Sequence, residues 1–253
     1  MSLHEFAARP FGHERRGLLV ERTPERILEA QPNFPLPGPN RVCRVRSSAE
    51  RVPGLVAECR AFFGAWGLPC AWILDPDTRP ADLAERLLAF GLEPMPELAV
   101  MVLAAAHELE PPVPGITFID GLRDFATYKL AAEIQADAFG GGVVPGLEAR
   151  WEELEPAQNR HLVLACAGGE PAAAGWAWIT SQGTQLNGGA SRPGYRGRGL
   201  YRATVWERLR LARAAGSAGL TVQAAPSSRP ILERLGFERV GVWRLFADQN
   251  QPS

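Results

Sequence analysis

Lysine is almost missing from this chain: Lys129 is the only one among 27 Lys and Arg residues, so arginine carries nearly all the positive charge. Against 28 Asp and Glu residues this leaves a formal net charge of -1. No global positive field exists to draw in nucleic acid or an anionic membrane, and neither is expected as a partner; any anion site must be local. Cysteine is scarce too. Cys43, Cys59, Cys70 and Cys166 form no C-x-x-C pair, and His4, His13, His107 and His161 are equally scattered. That spacing excludes a disulfide framework and a zinc site, so no metal is expected, and the thiols read as buried or idle in a reducing compartment. Long apolar runs are absent: nothing approaches the ~18 residues of a membrane span. The opening MSLHEFAARPFGHERRG has charges where a secretion signal needs its apolar stretch. The expectation is a cytoplasmic protein, and the Arg, Ala, Gly and Pro richness points to a high-GC bacterial source.

What is present is enough apolar sequence for a sizeable core, 46% of 253 residues. The prolines of ELEPPVPGI, from Glu108 to Ile116, interrupt the pattern after an apolar strand and suggest a boundary near residue 110. The expected division is 1–110 and 111–253, both ordinary domain lengths. In the second segment Asp124 is placed to cap a helix ending at Gly140, and a strand meander follows from His161, Pro171 and Thr184. A helix from about Gly199, stopped at Gly216 or Gly219, carries Tyr201, Val205, Leu209 and Ala212 on one stripe. The predicted order β-α-α-β-β-β-α-β-α-β implies an α/β domain with a mixed sheet flanked by helices. AWILDP, RPADLAERLLAFGLE and ELAVMVLA in the first segment follow the same plan as LTVQAA, SRPILERLGFE and VGVWRLFA at the end. Strand, amphipathic helix, Gly-apolar-Glu and strand recur in that order, which predicts an internal duplication.

The most distinctive chemistry lies in SRPGYRGRGLYRA, Ser191 to Ala203, just before the long helix. A helix N-terminus offers unpaired N–H groups and positive dipole, and glycines let an anion come close. Gly197 and Gly199 provide access; Arg192, Arg196, Arg198 and Arg202 add forked donors suited to a phosphate or pyrophosphate. The P-loop spacing and its Lys-Ser/Thr are absent, and a dinucleotide fingerprint fits poorly because the preceding strand closes a meander. Nothing in the first copy corresponds to YRGRG.

YRGRGLYRATVWERLRLARAAG, followed by a strand and ILERLGFERVG, resembles the acetyl-CoA-binding core of the GNAT superfamily of N-acetyltransferases, whose signature is [Q/R]-x-x-G-x-[G/A]. Arg196, Gly197, Arg198, Gly199, Leu200 and Tyr201 lie on it, with Tyr201 where the family keeps Gly or Ala. The resemblance implies a GNAT acyl-CoA N-acyltransferase fold with a degenerate N-terminal copy, and acetyl-CoA as acyl donor. It also implies that the strand backbone around Ala190 and Ser191 pairs with the pantetheine arm, and that amides from Gly197 to Tyr201 hold the pyrophosphate. The implied reaction is direct acetyl transfer to an amine on a small molecule or a protein.

Two departures from the family bear on mechanism. Tyr201 is expected to turn its ring into the core beside Val205 and Leu209, or else to present its phenol to the thioester. Many relatives carry a tyrosine as general acid five residues before the Phe of the GF pair, and here that position is Leu232. Ser227, Ser228 or water would have to replace it. Glu133, Glu152, Glu153 and Glu155 are candidate bases that read better as solvated charges, His161 reads as structural, and Trp176 and Trp178 read as core. No catalytic residue is assigned on this basis. A non-catalytic acyl-CoA sensor or partner-binding module is the alternative that Leu232 and Tyr201 leave open.

Overall fold

The structure, a computed structural model, describes residues 2–8, 16–139, 142, 145–154 and 159–249; His13, Gly140 and Glu155 fall outside them. The chain forms two compact units, and each is discontinuous. A C-terminal unit comprises Met1–Ala7, Val100–Leu147 and Pro156–Val240, and an N-terminal unit comprises Ala8–Ala99, Glu148–Glu155 and Gly241–Ser253. A single cut at residue 110 therefore does not describe them. Residues 100–104 of one copy's last strand belong to the C-terminal unit, and residues 241–248 of the other copy's last strand belong to the N-terminal unit.

In the C-terminal unit, β6 (Ile116–Asp120), β7 (Arg160–Ala167), β8 (Glu170–Ile179) and β9 (Thr184–Ser191) pair antiparallel, and β9 then pairs parallel with β10 (Gly219–Ala224). Helix α4 (Phe125–Phe139) lies against one face, with Tyr128 edge-on to Trp176 at 6.2 Å. Helix α6 (Leu200–Ala214) covers the other, burying Leu200 and Ala203 against Ala165 and Ala173. The two faces follow from strand alternation. Asp124 caps α4 as its sequence suggested: the Thr127 N–H donates to Asp124 Oδ1 at 2.8 Å, and that bond, with Arg123 beside it, holds the Asp124 carboxyl below the usual range. Gly216 at φ 70° stops α6, with the Ser217 N–H reaching back to Ala212 O at 2.9 Å.

The N-terminal unit repeats this plan. Strands β1 (Leu19–Arg22), β2 (Ile27–Ala30) and β3 (Arg41–Cys43) pair antiparallel, and β3 pairs parallel with β4 (Cys70–Leu74) across helix α2 (Val52–Gly64). The similarity extends to single bonds. Helix α3 (Leu83–Ala89) ends with Gly91 at φ 81° and a Leu92 N–H to Leu87 O bond of 3.0 Å. Helix α7 (Arg229–Arg234) ends with Gly236 at φ 87° and a Phe237 N–H to Leu232 O bond of 3.0 Å. Leu87 and Leu232 thus occupy equivalent positions, both fully buried.

The core of the N-terminal unit packs α2 and α3 around Trp72, Leu55, Phe63 and Leu83, and it includes Phe246 from β11 (Glu238–Asp248). Residues 244–248 of β11 pair antiparallel with β4, and Asp248 binds Arg60 of α2 at 2.9 Å. All four cysteines are free and buried. Burial pushes the Cys43 and Cys59 thiols up to about 12 and raises those of Cys70 and Cys166 as well, so thiolate chemistry at neutral pH is suppressed.

Candidate functional site

The parallel pairing of β9 with β10 covers Thr184 to Leu186 against Leu220 to Val222, and there it stops. Beyond it β9 continues as Asn187, Gly188, Gly189, Ala190 and Ser191, held by β8 on its other side through a register shift between Ala174 and Trp176. Two strands that share a helical crossover but part company leave a notch with one edge of β9 facing it. Gly188, at φ 55°, lets the bulged backbone turn, and Gln135 Nε2 on α4 donates to its carbonyl at 2.5 Å.

Helix α6 begins at this notch. A 3-10 turn, Pro193–Tyr195, leads to Gly197 at φ 76° and Gly199 at φ 78°, where glycine alone adopts the left-handed conformation without cost. A Cβ at Gly194, Gly197 or Gly199 would meet nothing within 4 Å. The first helical bond runs from the Ala203 N–H to Gly199 O at 2.9 Å, and the consecutive amides of residues 197–202 have no acceptor among the described residues. They form an open row of donors at the positive end of α6. Leu200 anchors the turn by burying its side chain while its N–H stays in that row.

The surrounding arginines are only loosely held. Arg192 lies 3.3 Å from Asp137 and Arg202 lies 3.2 Å from the exposed Glu110, pairs worth little in water. Arg196 donates to Ala138 O at 3.4 Å, and Arg198 sits over the Tyr195 ring at 5.1 Å with no carboxylate partner among the described residues. Ala190 is buried on the bulged strand opposite Ala174, and the buried Ser191 Oγ has no hydrogen-bond partner among the described residues. Open glycines, free amides, loosely held guanidinium charge and an orphaned hydroxyl make a set that fits a diphosphate joined to a hydrogen-bonding arm.

The Tyr201 ring faces the sheet, where a Cβ on Gly189 would come within 2.9 Å of it. Burial raises the phenol above its ordinary value, opposed by Arg208 and Ser228. Arg208 is a residue that sequence reasoning missed. It is 1% exposed, and its Nε donates to Thr204 O at 2.9 Å, Nη1 to Trp176 O at 3.1 Å and Nη2 to Thr204 Oγ1 at 3.2 Å. All three acceptors are neutral, and desolvation brings the guanidinium down to about 10, still charged at neutral pH. Gly175 makes room for it, since a Cβ there would lie 2.8 Å from Cζ. The glycines of PAAAGW and NGGAS were the available signal: Gly175 accommodates Arg208 and Gly189 accommodates Tyr201.

Glu133 forms an exposed pair with Lys129 at 3.9 Å, while Glu152 and Glu153 belong to the N-terminal unit, where Glu153 accepts from Asn33 at 2.7 Å. His161 is half-buried on β7, and burial lowers its pKa against the opposing pull of Asp120. Trp176 packs on Tyr128, and Arg160 lies over the Trp178 ring at 4.8 Å. Among the described residues no group of three or more His, Cys, Asp or Glu is arranged to hold a metal, and no helix is long and apolar enough to cross a membrane.

The equivalent notch in the N-terminal unit is closed. Between β3 and α2 the Arg46 N–H donates to Glu25 O at 2.8 Å and the Ser47 N–H to Arg79 O at 3.2 Å, so these two loop amides are consumed. Arg46 forms a parallel bridge with Arg79, and its guanidinium grips Asp75, whose side chain is 4% exposed, at 2.9 Å. Pro53 occupies the first turn of α2, and Glu25 and Glu58 hold Arg51. Asp75→Ala is expected to lower the stability of this unit by about 3 kcal/mol, the low end for a broken buried pair because Arg46 is partly exposed. A urea midpoint checks this, and Asp75→Asn, which retains an acceptor for the Asp77 N–H, should recover part of the loss.

A duplicated meander, a parallel pair splayed around a glycine-capped helix, and one open and one closed notch define the fold: the chain has the GNAT acyl-CoA N-acyltransferase fold in tandem form. Among solved structures it is similar to a GCN5-related N-acetyltransferase from Kribbella flavida, with TM-score 0.72 and 18% identity over 92% of this chain and 90% of that one. A GCN5-related N-acetyltransferase from Sphaerobacter thermophilus gives 0.59 and 17%, covering 90% and 82% of the two chains. A tandem GNAT protein from the clavulanic acid biosynthesis pathway gives 0.61 and 14%, covering 99% and 88%. No protein-family model and no curated protein matches the sequence.

Proposed function

We propose that the chain is an N-acetyltransferase that moves an acetyl group from acetyl-CoA, bound as a substrate in the C-terminal unit, directly to an amine on a small molecule or protein. The observation that carries this reading is the open row of amides at residues 197–202 beside the splayed edge of β9. The diphosphate would sit on those amides with Arg196 and Arg198 adding charge, and the pantetheine arm would run along Ala190 and Ser191. In the closed N-terminal notch the Arg46 and Ser47 amides are already hydrogen-bonded, and it serves as the internal contrast.

The amine must reach the thioester neutral. Of the carboxylates considered as its base, Glu133 pairs with Lys129 and Glu153 accepts from Asn33. Water is the relay that takes this proton to solvent in the proposed reaction. Alignment of the amine with the carbonyl supplies the main acceleration. Titration calorimetry of the intact protein with acetyl-CoA and with CoA is expected to give micromolar binding, followed by CoA release on an amine panel. Failure to bind either would sink the reading. Binding without turnover on a broad panel would favour an acyl-CoA sensor, the class to which the apolar, buried Leu232 also points.

A further inference from the structure

Burying an arginine without a carboxylate is costly, because the charge leaves water and gains only neutral acceptors in return. Arg208 is nevertheless 1% exposed, on the buried face of α6 with Val205, Leu209 and Ala212, where a leucine or methionine would satisfy the core. No carboxylate pairs with it among the described residues. Two strand positions are emptied to admit it. A Cβ at Gly175 would lie 2.8 Å from Cζ and Nη1, and a Cβ at Gly189 would lie 3.4 Å from Nη2 as well as 2.9 Å from the Tyr201 ring. These two glycines mark a single place in the sheet. Ala174 pairs with Ala190 and Trp176 with Asn187, so β9 sets two residues, Gly188 and Gly189, against Gly175 alone. The extra residue makes a β-bulge, which bends its strand and re-aims the residues beyond it.

A bulge takes backbone groups out of the regular ladder, and here side chains pick them up. Gln135 of α4 donates through Nε2 to Gly188 O at 2.5 Å, and Asn187 Oδ1 accepts from the Gly188 N–H at 2.7 Å. From α6, Arg208 Nη1 donates to Trp176 O at 3.1 Å, while Nε and Nη2 tie the same guanidinium to Thr204 O at 2.9 Å and Thr204 Oγ1 at 3.2 Å. Thr204 Oγ1 donates in turn to Tyr201 O at 2.8 Å, so the brace runs from the bulge to the first turn of α6. A planar fork holds a strand carbonyl and a helix carbonyl in fixed directions at once; an apolar residue would fill the space and leave Trp176 O without this donor. We propose that Arg208 is a positioning residue of the candidate site: it braces the bulge and so fixes the course of Ala190 and Ser191 relative to the head of α6. This rests on the proposed acetyl-CoA site, in which those two residues flank the pantetheine arm and the head of α6 receives the diphosphate. Arg208 touches no part of the ligand and acts only through β8, β9 and Thr204.

The test compares two probes on the intact protein: CoA, and adenosine 3′-phosphate 5′-diphosphate, which keeps the diphosphate of CoA and lacks the arm. Arg208→Met should weaken CoA about 10-fold, the scale of one hydrogen bond, and leave the affinity for the armless probe unchanged. Calorimetry reads CoA, an NMR titration reads the weaker probe, and a melt checks the fold. Methionine is unbranched and keeps the core filled. Gly175→Ala is the second variant: it retains Arg208 but drives a methyl group into the guanidinium, and it should give the same pattern. The double variant should lose no more CoA affinity than Arg208→Met alone, since both changes act through one contact. Unchanged CoA affinity in the folded single variants overturns the assignment and leaves the cofactor site standing. Equal weakening of both probes overturns it too, because a loosened fold and not the strand edge would then be responsible. Additive losses in the double variant also count against it. Absence of CoA binding in wild type removes the acetyl-CoA reading and this assignment together.

Discussion

Gly199→Glu should raise the dissociation constant for CoA at least about 100-fold, on the order of 3 kcal/mol, while the protein remains folded. The residue sits at φ 78° immediately before α6, where its side chain would project into open space instead of into the core. The left-handed backbone makes a glutamate cost roughly 1–2 kcal/mol in strain, which a domain of this size tolerates. The carboxylate, however, enters the row of amides at residues 197–202, competes for their hydrogen bonds and repels a diphosphate. Calorimetry with CoA reads the affinity, and circular dichroism through a melt reads the fold. Retained affinity in the folded variant would mean that the anion binds elsewhere or not at all. An arginine substitution, Arg198→Ala, should cost less, because a solvated guanidinium contributes charge without a fixed geometry.

Phe246→Ala should destabilise the N-terminal unit by roughly 3–5 kcal/mol, even though the residue lies near the C-terminus of the chain. Phe246 is 5% exposed and is part of the core built by Trp72, Leu55, Phe63 and Leu87. Its strand is stitched to β4 from Arg244↔Leu74 to Asp248↔Cys70, and Asp248 secures Arg60. Hydrogen exchange should show lost protection in peptides spanning residues 52–64 and 70–74. If the loss were confined to residues 241–248, the strand would be an appendage and not a member of that core.

Local order was legible in the residues themselves. Asp124, Gly216 and Gly236 act within a few residues of their own positions, through caps and left-handed turns that short-range chemistry dictates. The glycine turns before α6 were legible for the same reason, since glycine spacing and a helix start are local facts. The strand exchange at residues 100–104 and 241–248 was not, because an apolar strand carries no label for the neighbour it will pair with. The GNAT resemblance of Gly197 and Gly199 likewise said nothing of where the Tyr201 ring would turn. Arg208 was invisible as anything but one more exposed helical arginine until Gly175 and Trp176 were seen around it.

By itself, then, the sequence determined the order of elements, their ends, the duplicated plan and the glycine-rich loop that is the candidate anion site, because each depends on interactions between near neighbours in the chain. Only the tertiary structure decided that the first notch is bolted by Arg46 and Asp75 while the second stays open, and that the Tyr201 ring turns to where Gly189 makes room for it. Those outcomes depend on backbone groups and side chains brought together from distant segments, and long-range packing alone sets which donors are used up and which remain free.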